Sequence, residues 1–242
     1  SDDQIQPASM DLRLGAKAYR LVSSFLPEFH SVMDKLHTPD VYGSDLVMYE
    51  TDISRGGILE KGHVYLIPIM EELDLPKDVH GRANPKSTTG RLDVFARILT
   101  DRNPRFDDVA AGYKGQMFVE VMPRSFTINV KQGLSLVQLR LMQGDCALTD
   151  AGLKALDKSS SLLYDGDNRL GRDAVRISKG LFMSVDLSGD NNSKIVGYKS
   201  KKNSHVVDLT KKNHYAISDF WDPLHKNSKS TLILEPEEFY IL

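Results

Sequence analysis

Two short stretches carry the side chains best suited to chemistry. Lys86-Ser87-Thr88-Thr89-Gly90-Arg91 gathers two cations and three hydroxyls, and Gln116-Met117-Phe118-Val119-Glu120-Val121-Met122 sets one carboxylate among apolar neighbours. In the first, read as a compact polar loop, hydroxyls and backbone amides can donate to phosphate oxygens while Lys86 and Arg91 supply charge. The plain alternative is a solvated turn, and the Gly-x-x-x-x-Gly-Lys spacing of a Walker loop is absent. In the second, the strand is buried on both faces, and leaving Glu120 unpaired there would cost several kcal/mol. Glu120 is therefore either a structural partner of Arg91, Arg97 or Arg124, or a base that takes a proton from water and passes it on. Asp107 and Tyr113 lie between the two stretches, and Gln138 stands among apolar residues further on. All three are candidate nucleotide contacts with Lys86, Ser87, Thr88 and Arg91.

Other chemistries are excluded by what is missing. The seven histidines never form His-x-x-x-His or His-x-Glu, and with one cysteine no zinc-deaminase signature exists. No Gly-x-Ser-x-Gly elbow and no Gly-x-Gly-x-x-Gly dinucleotide fingerprint occurs. Cys146 reads as a small packing residue, and a single thiol fits a reducing compartment, the cytoplasm by default. With 31 basic and 33 acidic residues in 242 the net charge is -2, which lacks the basic excess of a nucleic-acid binder. No apolar run approaches the roughly 20 residues a membrane span needs.

The elements that must position these residues read as many short strands. Met10, Leu12 and Leu14 alternate with Asp11 and Arg13 before Gly15, and Asp11 reads as a turn-forming residue. From there to Gly57 loops and short strands are expected, then a turn at Lys61-Gly62 feeding a β-rich run. Residues 92–99, 116–122, 125–130 and 134–141 come next as strands with turn residues between them. This spacing predicts an all-β barrel or sandwich. The character changes at Gly144: a short helix over Thr149 to Asp157 and a linker through Ser159–Ser161 and Asp165-Gly166-Asp167 are expected. Asp186 again reads as turn-forming.

An internal repeat bears on architecture more than any local pattern. Phe182-Met183-Ser184-Val185-Asp186-Leu187 echoes Ala8-Ser9-Met10-Asp11-Leu12, and Leu234 to Ile241 echoes Leu59 to Leu66, both at an offset of 175. The chain is therefore expected to hold a complete repeat over 1–145, a linker with a short helix over 146–180, and the beginning of a second repeat over 181–242. Counterparts of Lys86 to Arg91 and of Glu120 would fall past Leu242, so a piece of a longer protein is expected.

The ordered set Gln6-Pro7-Ala8-Ser9-Met10-Asp11-Leu12-Arg13-Leu14-Gly15, Lys86 to Arg91, Phe106-Asp107 with Gly112-Tyr113-Lys114-Gly115, and Val119-Glu120 resembles the motifs of the dCTP deaminase family, in its tandem bacterial form. The resemblance implies a distorted β-barrel of the dUTPase-like (β-clip) type, tandemly duplicated with the second copy incomplete. It implies hydrolytic deamination of dCTP to dUTP and ammonia without zinc, with Glu120 as the general base and Ser87 and Arg91 positioning water and base. It also implies Lys86 near the triphosphate, magnesium accompanying the nucleotide, and a homotrimer. Two alternatives stay open: a dUTPase or bifunctional enzyme, for which Asp107 is the candidate acid, and a non-catalytic nucleotide-binding barrel. A dUTPase normally has an aliphatic residue at the position of Glu120. Thr88, Thr89 and the long 101–112 linker depart from the family pattern.

Overall fold

A computed structural model describes residues 4–38, 45–145, 147–189, 193–229 and 231–242. The Cys146 reading lies outside them. The chain divides into two units: residues 1–144 with 197–224 and 234–241, and residues 145–196 with 225–233 and 242.

The first unit is built on two five-stranded sheets. One runs in the order β1 (Ile5–Gln6), β2 (Ser9–Arg13), β12 (Ser135–Gln143), β7 (Val79–Pro85) and β9 (Asp108–Val109). The other orders β4 (Val47–Asp52), β3 (Lys17–Leu21), β6 (Val64–Asp74), β10 (Lys114–Pro123) and β8 (Val94–Thr100). Leu12, Val137 and Leu139 from the first meet Ile67, Ile98, Val119 and Val121 from the second in one core. A smaller sheet joins β5 (Gly57–Leu59) to β11 (Ile128–Val130), which pairs in parallel with β16 (Val207–Asp208). The expectation of an all-β chain holds, but among the described residues the strands do not close into one barrel. Register shifts at Gln116/Phe118, Ser135/Val137 and Arg20/Leu21 interrupt the ladders within these sheets.

Where these two sheets meet, Gly15 donates to the Pro68 carbonyl at 2.8 Å, and a Cβ on Gly15 would stand 2.8 Å from that oxygen. The strand that stops at glycine does so because the backbones touch there. Gly62, at φ 78°, makes the turn into β6.

Three local expectations need correction. The stretch read as loops and short strands to Gly57 holds β3 and β4 but also a helix, α1 (Val32–His37), whose Ser31 cap accepts from the Asp34 amide at 3.0 Å. Val32 and Leu36 of that helix cover the outer face of β3, β6, β8 and β10 with Tyr19, Leu66, Leu99 and Phe118. The polar loop is a one-turn helix, α2 (Ser87–Arg91). Asp11 is buried inside β2 rather than turning the chain, because Lys86 neutralises it. Asp186 does turn, accepting from the Ser188 amide at 2.7 Å.

In the second unit the predicted helix is α3 (Asp150–Ser159), capped by Thr149. The stretch read as linker forms a hairpin of β13 (Tyr164–Asp165) and β14 (Asn168–Arg169) around Gly166 at φ 56°. To the first unit belong α4 (Ile217–Phe220) and most of a sheet ordered β17 (Trp221–His225), β15 (Ile195–Ser200), β18 (Tyr240–Ile241). The β15–β18 pairing mirrors β3–β6 in detail. Arg20 lies opposite Tyr65 with its guanidinium 5.8 Å from the ring centre, and Lys199 lies opposite Tyr240 at 6.0 Å. The Tyr65 hydroxyl accepts from the Glu60 amide at 3.1 Å, and the Tyr240 hydroxyl from the Glu235 amide at 3.1 Å.

Candidate active site

Glu120 sits in β10 with a side chain about 2% exposed. Alternation along the strand turns Met117, Val119 and Val121 into the shared core and puts Glu120 with Phe118 on the opposite face, the one that α1 helps to cover. The antiparallel register places Arg97 of β8 directly across. Arg97 Nε donates to Glu120 Oε1 at 2.8 Å, which selects one of the three arginines that the sequence left open. The guanidinium is held on its other sides: its carbon lies 3.5 Å from the Phe106 ring centre and 4.9 Å from that of Phe95, and an NH2 group donates to Ser24 Oγ at 2.8 Å. Oε2 of Glu120 is buried with no hydrogen-bond partner among the described residues. A buried acceptor left open in this way is either a cost to the fold or a place for a donor such as water.

Asp107 belongs to the same neighbourhood. Its Oδ1 accepts from the Ile98 amide at 2.8 Å, and its backbone stands at φ 60°. Burial pushes its carboxyl above the usual range, against the opposing pull of the Ile98 amide and of Arg97. Tyr113, the other candidate of this hairpin, uses its hydroxyl locally: it donates to the Gln116 carbonyl at 2.6 Å and accepts from the Asp101 amide at 3.2 Å. Burial raises its pKa.

The second group of candidates surrounds α2. Lys86, at the helix start, donates through Nζ to Asp11 Oδ2, while Asp11 Oδ1 is buried without a partner among the described residues. Thr89 is buried and donates to the Leu136 carbonyl at 2.7 Å, tying the helix to β12. Ser87, Thr88 and Arg91 stand on the same turn, less buried than Thr89. Gln138 of β12 lies opposite both Asp11 and Asn84 and accepts from Ser9 Oγ at 3.0 Å. Asp11, Arg13, Lys86, Thr88 and Leu136 line an open cleft of about 520 Å³, a volume suited to a small-molecule ligand.

The structure thus gathers the site residues into two groups rather than one: Glu120, Arg97 and Asp107 on one, Asp11, Lys86, Thr88 and Gln138 on the other. No hydrogen bond or ion pair joins Glu120 to Ser87 or Arg91 among the described residues. Sequence reasoning missed Arg13 and the buried role of Asp11, although the alternation of β2 puts Asp11 on the face opposite the core. It also missed Leu209 and Lys212, which line the cleft from far along the chain and have no local signal. No group of three His, Cys, Asp or Glu side chains able to hold a metal occurs among the described residues.

The 26%-identical "dCTP deaminase" of Sulfurisphaera tokodaii aligns over 138 residues, 57% of this chain and 65% of that protein. The "dCTP deaminase, dUMP-forming" of Sulfurihydrogenibium sp. is 30% identical over 141 residues, 57% of this chain and 69% of that protein. The crystal structure of 2'-deoxycytidine 5'-triphosphate deaminase from Agrobacterium tumefaciens is 40% identical with a TM-score of 0.88, covering 99% of this chain and 68% of that one. The chain therefore spans about two thirds of the length of these proteins, and its fold is the dUTPase-like one of that neighbour. The model for the 2'-deoxycytidine 5'-triphosphate deaminase N-terminal domain matches residues 1–145, and that for the C-terminal domain matches 149–242. With both halves matched, the chain belongs to the dCTP deaminase family.

Proposed function

We propose that the protein deaminates dCTP hydrolytically to dUTP and ammonia, with Glu120 activating the water and no zinc. The observation that carries this reading is the divided carboxylate of Glu120: Arg97 holds Oε1 and fixes the rotamer, while Oε2 is left open to accept a proton. Water attacks C4 as Glu120 takes its proton. Delivery of that proton to the exocyclic nitrogen lets the C4–N4 bond break, and ammonia leaves as the C4 carbonyl forms and the second proton of the water passes to N3. Ser87 and Arg91 position the water and polarise the base, and Lys86 and Thr88 receive the triphosphate. Because no hydrogen bond or ion pair joins these residues to Glu120 among the described residues, we read the site as completed between copies in a homotrimer-like assembly. Magnesium would travel with the triphosphate, keeping most of its coordination from phosphate and water.

The repeated Tyr hydroxyl bond and the repeated cation over that ring support reading 181–242 as the start of a second copy of 1–145. A bifunctional enzyme is the second reading, favoured by the dUMP-forming relative and by the buried carboxyl of Asp107. Cytoplasmic nucleotide metabolism is the setting that either reading implies.

Incubation with dCTP and with dUTP, assaying ammonia and pyrophosphate separately, decides among the readings. Ammonia from dCTP is expected, and Glu120→Gln should lower it by roughly 10²–10⁴-fold, the usual contribution of a general base, with nucleotide binding retained. Pyrophosphate from dUTP alone would move the assignment to the rival, and tight dCTP binding without either product would leave a binding barrel.

A further inference from the structure

We propose that Lys212, carried on a segment that returns from the C-terminal part of the chain, is a phosphate-binding residue of the Asp11–Lys86 cleft. The inference rests on the reading that this cleft takes a nucleotide, and it adds a residue from outside the stretch that holds the family motifs.

The segment is held firmly against the rest of the first unit. Val207 donates to the Thr127 carbonyl and Leu209 to that of Asn129, each at 3.0 Å, so β16 extends the small sheet beside the cleft. The Tyr215 hydroxyl accepts from the Asp208 amide at 2.9 Å, and the Tyr215 ring packs edge-on to Phe220, which packs in turn on Phe126 of the core. Asp208 closes the turn by accepting from the Thr210 amide at 3.0 Å and its hydroxyl at 2.7 Å. These bonds aim the turn at the cleft, where Leu209 and Lys212 join Lys86 and Thr88 in its lining.

Ion pairing separates Lys212 from its neighbours. Arg13 is engaged by Glu71 at 2.6 Å, Lys86 by Asp11, and the adjacent Lys211 lies 3.7 Å from Asp208. Lys212 has no ion pair among the described residues. The cleft therefore offers one uncommitted cation together with one uncommitted buried acceptor, Asp11 Oδ1. A phosphorylated sugar presents the complement of both: phosphate oxygens for the ammonium and a hydroxyl for the carboxylate. Leu92, Leu134, Leu136 and Leu209 supply apolar wall between them.

Calorimetric titration of the whole protein with inorganic tripolyphosphate tests this directly. Lys212→Ala should weaken binding about tenfold or more, the effect of losing one charge-assisted hydrogen bond. Lys212→Arg should keep most of the affinity, and Lys211→Ala should stay within about twofold of wild type, since Lys211 already has its partner. Unchanged affinity in Lys212→Ala, or an equal loss in Lys211→Ala, would overturn the assignment. With dCTP, Lys212→Ala should raise KM while leaving kcat in place. Ammonia release by the wild type is scored separately, so tripolyphosphate binding that depends on Lys212 in a protein that releases none would retire the deamination reading alone.

Discussion

Replacing Arg97 should strand Glu120, and the geometry sets the size of the effect. In the wild type one carboxylate oxygen is already without a partner among the described residues, and the other depends on Arg97 Nε at 2.8 Å. Arg97→Ala leaves both oxygens of a 2%-exposed carboxylate unpaired. Removing one partner of a buried ion pair costs about 3–5 kcal/mol, and because the arginine is 23% exposed the lower end applies, about 3 kcal/mol. Loss of the stacking on Phe106 and Phe95 adds about 1 kcal/mol. Glu120→Gln removes the charge but keeps an acceptor for Arg97, so it should cost no more than about 1 kcal/mol. In that neutral background Arg97→Ala loses the stacking and one neutral hydrogen bond, about 2 kcal/mol. The double mutant should therefore be more stable than the additive sum by about 2 kcal/mol. Urea denaturation of all four proteins, with the slope checked for constancy, measures this coupling. A coupling under about 0.5 kcal/mol would show that Arg97 does not hold the Glu120 charge, and the account of how the carboxylate is positioned would fail with it.

Two further outcomes concern the frame around the site. Because burial holds the Asp107 pKa above its unfolded value, the stability this group contributes is present below the unfolded pKa and is lost as pH rises through the folded one. Asp107→Asn keeps an acceptor for the Ile98 amide and tolerates φ 60°. Its Tm should match wild type at about pH 3 and exceed it increasingly towards about pH 7, on either side of the ordinary carboxylate range, whereas a difference independent of pH would reject burial as the cause. Gly15→Ala should cost about 1–3 kcal/mol in denaturant unfolding, because the new Cβ meets the Pro68 carbonyl at 2.8 Å and backbone must shift; a neutral result would mean that the two sheets are not locked at that point.

Much of the fold is local in origin and could be read from the chain. Alternation in Met10, Leu12 and Leu14 defines β2, the apolar run Met117 to Met122 defines a strand with a buried acid, and Thr149 before Asp150 marks the start of α3. The helix α1 was legible in part, through Ser31 and the spacing of Val32 and Leu36, but six residues make too weak a periodic signal. Which strands share a sheet was not legible, because the pairings join segments far apart in the chain, as β12 joins β2 and β7.

The sequence by itself determined that Glu120 is a carboxylate with no right to be buried alone, and that Lys86 to Arg91 could meet phosphate. Both conclusions come from residue type and neighbours, which act over a few positions. Only the tertiary structure decided which arginine answers Glu120, since that depends on the register between β8 and β10, where a slip of one residue would turn Arg97 to the other face. It likewise decided that Lys86 reaches back 75 residues to Asp11, and that Lys212 joins the cleft through a parallel strand pairing. Long-range register is set by the whole core at once, and no short stretch of chain contains it.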